Sequence, residues 1–105
     1  MNEETSRTAL NARQRKYLRG LAHHLEPTVR IGQKRVTDAL VRETERALES
    51  HELVKVRVET EDRGERAAAA TELAERSGSQ IVGAIGKIAI LYRRREDEPA
   101  IQLPS

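Results

Sequence analysis

Residues 27–62, PTVRIGQKRVTDALVRETERALESHELVKVRVETED, decide the fold, because they read as strand, helix and strand in succession. Proline disfavours a helical conformation in the residue before it, so Glu26-Pro27 ends what precedes, and Thr28 to Ile31 read as a short strand. Gly32 opens a turn with Gln33, Lys34 and Arg35 at its tip, and Thr37 is placed to cap a helix with apolar positions Leu40, Val41, Thr44, Ala47 and Leu48. Val36 and Val41 stand at the spacing of a hydrophobic staple across that cap. After Ser50-His51-Glu52 the chain alternates from Leu53 to Glu59. Val54, Val56 and Val58 share one face, and Lys55, Arg57 and Glu59 share the other, the pattern of a half-buried strand.

Working outward, Leu18, Leu21, Ala22 and Leu25 recur at helical spacing, and Asn11 with Gln14 forms a capping-box pair, predicting a helix over about 11–25. On the other side, Asp62 and Glu65 form a second such pair ahead of Ala67, Ala70, Thr71, Leu73 and Ala74. Gly78 stands where a helix ends in the left-handed conformation, so a third helix is expected over about 63–77. Gln80 to Ile85 and Lys87 to Arg93 read as two strands joined tightly at Gly86-Lys87. The order α-β-α-β-α-β-β gives one α/β domain with a mixed four-stranded sheet. Helical crossovers favour parallel pairing among the first three strands, and the closing hairpin adds an antiparallel one.

The 105 residues suffice for one core, expected over residues 10–95, with a flexible N-terminus (1–9) and a partly mobile C-terminal tail (96–105) in which only Ile101 and Leu103 could dock. Without Phe, Trp or Cys the core must come from Leu, Ile, Val and Ala, and disulfides, thiolate catalysis and the usual zinc clusters are excluded. There is no apolar run of membrane-spanning length, and residues 1–9 are polar and partly acidic, unlike a targeting peptide. A cytoplasmic, monomeric protein is expected.

The net charge of +2 conceals an asymmetry. Residues 1–35 carry eight Lys/Arg against three Glu, whereas residues 36–79 carry seven against eleven Asp/Glu. Arg15, Lys16, Arg19 and His23 fall on one side of the first helix, and like charges three or four apart repel by roughly 0.2–0.5 kcal/mol per pair. A solvated charged face is the plainer reading, but the second helix, with Arg42, Glu43, Glu45, Arg46 and Glu49, shows that such a face mixes its signs. The first helix does not, and a polyanion such as RNA would relieve the repulsion.

The turn Gly32-Gln33-Lys34-Arg35 is a second candidate, since a glycine admits a phosphate close to the backbone and free N–H groups at a helix start attract anions. As a bare motif it is common in α/β domains. Arg30, on the strand before it, and Lys87, in the Gly86-Lys87 turn, would extend an anion track, with Arg93 to Arg95 at its end and Tyr92 more suited to packing the sheet against a helix. With only Tyr17 and Tyr92 present, recognition is expected to rely on phosphates and RNA shape. His23, His24 and His51 lack metal-ligand spacing, the serines lie in no nucleophile motif, and no phosphate-binding GxxxxGK[ST] loop exists. Neither a cofactor nor an enzymatic activity is expected.

The segments QRKYLRGLAHHL (14–25), PTVRIG (27–32), ERALESHELVKVRVETED (45–62), IGKIAILYR (85–93) and IQLP (101–104) resemble, in order and over nearly the whole chain, the CRM (YhbY-like) family of small RNA-binding proteins. The resemblance implies a sheet domain similar to the C-terminal domain of bacterial translation initiation factor 3, an RNA-binding GxxG loop, and association with precursors of the large ribosomal subunit. Gly32 matches the first loop glycine, but Arg35 stands where the second is expected. The expected function is contact with structured ribosomal RNA. The alternative is an interaction module that docks on a ribosomal protein or assembly factor through its acidic second and third helices.

Overall fold

The computed structural model describes residues 9–32 and 35–105. Residues 1–8 of the expected flexible N-terminus and the loop residues Gln33 and Lys34 lie outside the described residues. The elements follow the expected order: α1 (Ala12–Ala22), β1 (Pro27–Ile31), α2 (Asp38–His51), β2 (Leu53–Val58), α3 (Arg63–Ser77), β3 (Gln80–Ile85) and β4 (Ile88–Tyr92). Each helix begins at a cap that the sequence supplies. Asn11 and Gln14 form the complete reciprocal box, and Thr37 accepts from the Leu40 N–H at 3.1 Å. Asp62 accepts from the Glu65 N–H at 3.0 Å, but the Glu65 carboxylate turns to the Thr60 hydroxyl, so the third cap is one-sided.

The sheet order is β1-β2-β4-β3. β1 and β2 are parallel, as the crossover through α2 requires, with Val29 opposite Val56 and Ile31 opposite Val58. The third strand departs from expectation: β3 does not pair with β2, because β4 lies between them and runs antiparallel to both. The reason is burial. Ala89, Ile90, Leu91 and Tyr92 are all buried, so β4 needs cover on both faces and a neighbour on each side, whereas β3 leaves Ala84 and Ile85 exposed and shifts register between Ile81 and Gly83, features suited to an edge.

The sheet divides the core into two clusters. On one face Val29, Ile31, Val54, Val56, Val58 and Leu91 meet Val36, Val41 and Leu48 of the α2 segment and Leu73 and Ala74 of α3, so the Val36–Val41 staple forms part of this cluster. On the other face Leu53, Val82, Ile90 and Tyr92 meet Leu10, Leu18 and Ala22, with Ile101 and Leu103 of the tail packed against them. Thus α2 and α3 cover one side, and α1 with the tail covers part of the other.

The tail is tied down more firmly than its composition suggests. Glu52 follows α2 with φ 65°, a left-handed value unusual for a residue with a Cβ, and its side chain is fully buried. That turn aims the carboxylate at the tail, where it accepts N–H bonds from Arg95 (2.8 Å), Ala100 (3.0 Å) and Ile101 (2.8 Å). The Arg95 guanidinium closes the segment by donating to the carbonyls of Glu49, Ser50 and Glu98.

Candidate nucleic-acid interface

α1 carries four basic residues, Arg13, Arg15, Lys16 and Arg19, and no acidic one. Leu18 and Ala22 are its fully buried residues, and their spacing of four fixes which side faces the sheet. Burial of that short stripe holds the helix: Leu18→Ala would cost roughly 2–5 kcal/mol. With Leu18 and Ala22 inward, Arg15, Lys16, Arg19 and His23 lie along one flank, as their spacing predicts. Arg15 curls back to donate to the Leu10 carbonyl at 2.5 Å, and Arg19 crosses β3, donating to the Val82 carbonyl at 3.5 Å. Gly83 leaves room for that crossing, since a Cβ there would stand 2.9 Å from Cδ of Arg19. Lys16 and His23 are exposed, and the His23 ring meets His24 edge-on at 5.5 Å.

The uncovered remainder of this sheet face continues the positive charge. Because Val29, Ile31, Val54, Val56 and Val58 point toward α2 and α3, alternation puts Arg30, Lys55 and Arg57 on the side that α1 occupies. Arg30 and Arg57 are register partners, an arrangement of like charges that disfavours pairing, and the Glu59 carboxylate bridges them at 2.5 and 3.2 Å. The hydrogen bond from Arg30 holds the Glu59 carboxyl below its usual range, with the Arg57 charge acting in the same sense. Lys55 Nζ donates to the Leu25 carbonyl at 3.0 Å, placing a cation at the end of the turn that closes α1. Lys55 and Arg57 were not among the site residues read from the sequence. The alternation of β2 grouped them, but the face occupied by α1 could not be read from that pattern.

Other expected members fare differently. Gly32 and Arg35 are exposed where β1 leads toward α2, while Gln33 and Lys34 lie outside the described residues. Lys87 belongs to the β3–β4 turn and is bound to Glu61 at 2.8 Å, a contact that holds the Glu61 carboxyl low and occupies the lysine. Arg93 and Arg95 also serve the fold: Arg93 joins the Ser77 carbonyl to Glu49, and Arg95 fastens the tail. Tyr92 is buried with Leu18 and Ala22, in the packing role its setting predicts. Among the described residues, no group of three or more His, Cys, Asp and Glu side chains is arranged to hold a metal ion, and no helix is long and apolar enough to cross a membrane.

The sequence profile of the CRS1 / YhbY (CRM) domain matches residues 10–93. This chain belongs to the CRM domain family. The CRM chain is 40% identical over 97 residues to a protein of Haemophilus influenzae named as an RNA-binding protein, covering 92% of this chain and 97% of that one. It is 35% identical over 95 residues to YqeI of Bacillus subtilis, named a probable RNA-binding protein, covering 90% and 99% respectively. A solution structure from Staphylococcus aureus, of a hypothetical protein described as a candidate RNA-binding protein, superposes with a TM-score of 0.81 at 31% identity. That superposition spans 91% of this CRM chain and all of the other. The matched span takes in α1, β1 and β2, so the basic residues of α1 and of the open sheet face lie inside the CRM domain.

Proposed function

We propose that this CRM domain binds RNA through the surface formed by α1, the exposed side of β1 and β2, and the loop from Gly32 to Arg35. One observation carries this reading: charge is segregated across the sheet. α1 bears four basic and no acidic residues on one side, whereas on the other α2 sets two arginines against four acidic residues and α3 sets three against three. A surface that merely kept the protein soluble would mix its signs on both sides, as α2 and α3 do. The names of the relatives support RNA as the polyanion. The resemblance to CRM proteins of the ribosome favours structured ribosomal RNA in a large-subunit precursor.

The mechanism is binding without chemistry. Lys16, Arg19, His23, Arg30 and Arg35 would meet phosphates, Gly32 would admit one close to the backbone, and shape would set the register along a folded RNA. The test is filter binding or fluorescence anisotropy with a structured ribosomal RNA fragment across a salt series. Affinity should fall steeply with salt as counterions are released, and a Lys34→Glu/Arg35→Glu double variant should fold normally and bind poorly. Unchanged affinity in that variant would remove the loop from the site.

The alternative, docking on a ribosomal protein or assembly factor through α2 and α3, draws on the acidic surplus of α2. Co-sedimentation with large-subunit precursors that survives both high salt and nuclease treatment would favour it over direct RNA contact.

A further inference from the structure

Two glycines of this chain are required neither by backbone conformation nor by packing. Gly78 and Gly86 have positive φ, Gly83 lies beneath Arg19, and a Cβ at Gly64 would stand 3.3 Å from the Asp62 carboxylate, but Gly20 and Gly32 have ordinary φ values and a Cβ at either would meet nothing within 4 Å. Gly32 belongs to the loop already assigned. Gly20 sits on the exposed side of α1, where glycine destabilises a helix relative to alanine. Its surroundings are specific. Arg13 two turns before it, Lys16 and Tyr17 one turn before it and the adjacent Leu21 join Gly20 and Pro104 of the tail to line a shallow depression. Tyr17 is 43% exposed, although Tyr92, the other aromatic ring, is only 3% exposed. Arg13 and Lys16 make no ion pair among the described residues.

We propose that this depression is a subsite for an unpaired nucleotide of RNA, an inference that rests on the RNA-binding reading above. The base stacks on the Tyr17 ring, Arg13 and Lys16 hold the adjoining phosphates, and the absence of a side chain at Gly20 lets the sugar-phosphate chain lie against the helix. Pro104 forms the wall beside it, so the tail secured by Glu52 is part of the subsite. The positive charge on both sides of Tyr17 selects RNA over an apolar protein segment as the occupant. The subsite accounts for a feature that phosphate contacts alone leave unexplained: an exposed aromatic ring in a chain that has only two.

The experiment compares two RNA probes, a hairpin with a single-stranded loop and a continuous duplex of the same stem sequence. The wild-type chain should bind the hairpin more tightly. Tyr17→Ala should weaken hairpin binding by at least about fivefold and leave duplex binding unchanged, while Tyr17→Phe retains it. Gly20→Ala should raise the thermal midpoint, by roughly 4 °C, yet weaken hairpin binding. In a Tyr92→Phe background, the hairpin should quench the remaining Tyr17 emission. Hairpin affinity untouched by Tyr17→Ala, or lost equally on both probes, overturns the subsite. If the wild type binds neither probe, the RNA-binding reading itself falls; if it binds and Lys16→Glu/Arg19→Glu abolishes binding while Tyr17→Ala does nothing, only the subsite falls.

Discussion

The backbone N–H of Ile101 donates to the fully buried carboxylate of Glu52 at 2.8 Å, across 49 positions of sequence. This contact joins the end of α2 to the tail and places Ile101 against the cluster that includes Leu18 and Ala22 of α1. Tail and basic helix thus share one support. Glu52 has a positive φ of 65°, rare for a residue with a Cβ, and its three accepted N–H bonds offset that strain.

Replacing Glu52 by alanine should therefore cost about 3 kcal/mol of stability, since it leaves tail N–H groups without an acceptor while the strained backbone remains. Urea denaturation measures the loss. Amide exchange should show the N–H groups of Ala100 and Ile101 losing protection first, before those of β2 and β4.

Glu59 restrains two arginines on the open sheet face, so Glu59→Gln should strengthen RNA binding and steepen its salt dependence. Arg30→Gln and Arg57→Gln should act oppositely, each lowering the slope of log affinity against log salt by about one if it meets a phosphate. A salt titration of the three variants checks this, and an unchanged slope in all of them would exclude β1 and β2 from the interface.

The same ion pairs give a defined acid response. Glu59 and Glu61 have carboxyls held below the ordinary value of 4.5, chiefly by hydrogen bonds from Arg30 and Lys87. Their contribution to stability is complete above that value and is lost as pH falls through the lowered one. A Glu59→Gln/Glu61→Gln variant should melt slightly below wild type at pH 6, with the difference closing toward pH 3. Thermal melts over that range test the sign.

Tyr92 presents a different case. Burial, reinforced by the charge of Glu52, pushes its phenol above the usual range, and its hydroxyl has no hydrogen-bond partner among the described residues. Tyr92→Phe keeps the ring and removes an unsatisfied polar atom, so it should be neutral or stabilising by about 1 kcal/mol in urea denaturation. A marked loss of stability would show that the hydroxyl has a partner.

The local signals in the sequence were strong enough to fix the seven elements. Caps at Asn11, Thr37 and Asp62, the left-handed stop at Gly78, the alternation of β2 and the turn at Gly86-Lys87 depend on neighbours within a few residues, and such interactions act before any tertiary contact. The basic flank of α1 was legible for the same reason. Three features required the folded chain. β4 lies between β2 and β3 because a strand buried on both faces needs two partners. The tail docks because the buried Glu52 meets N–H groups more than 40 residues away. Arg30, Lys55 and Arg57 join the charge of α1 because α1 packs on the sheet face opposite α2 and α3. The periodicity of a helix states which of its sides is apolar, but the choice between two faces of a sheet belongs to the packing of the whole chain.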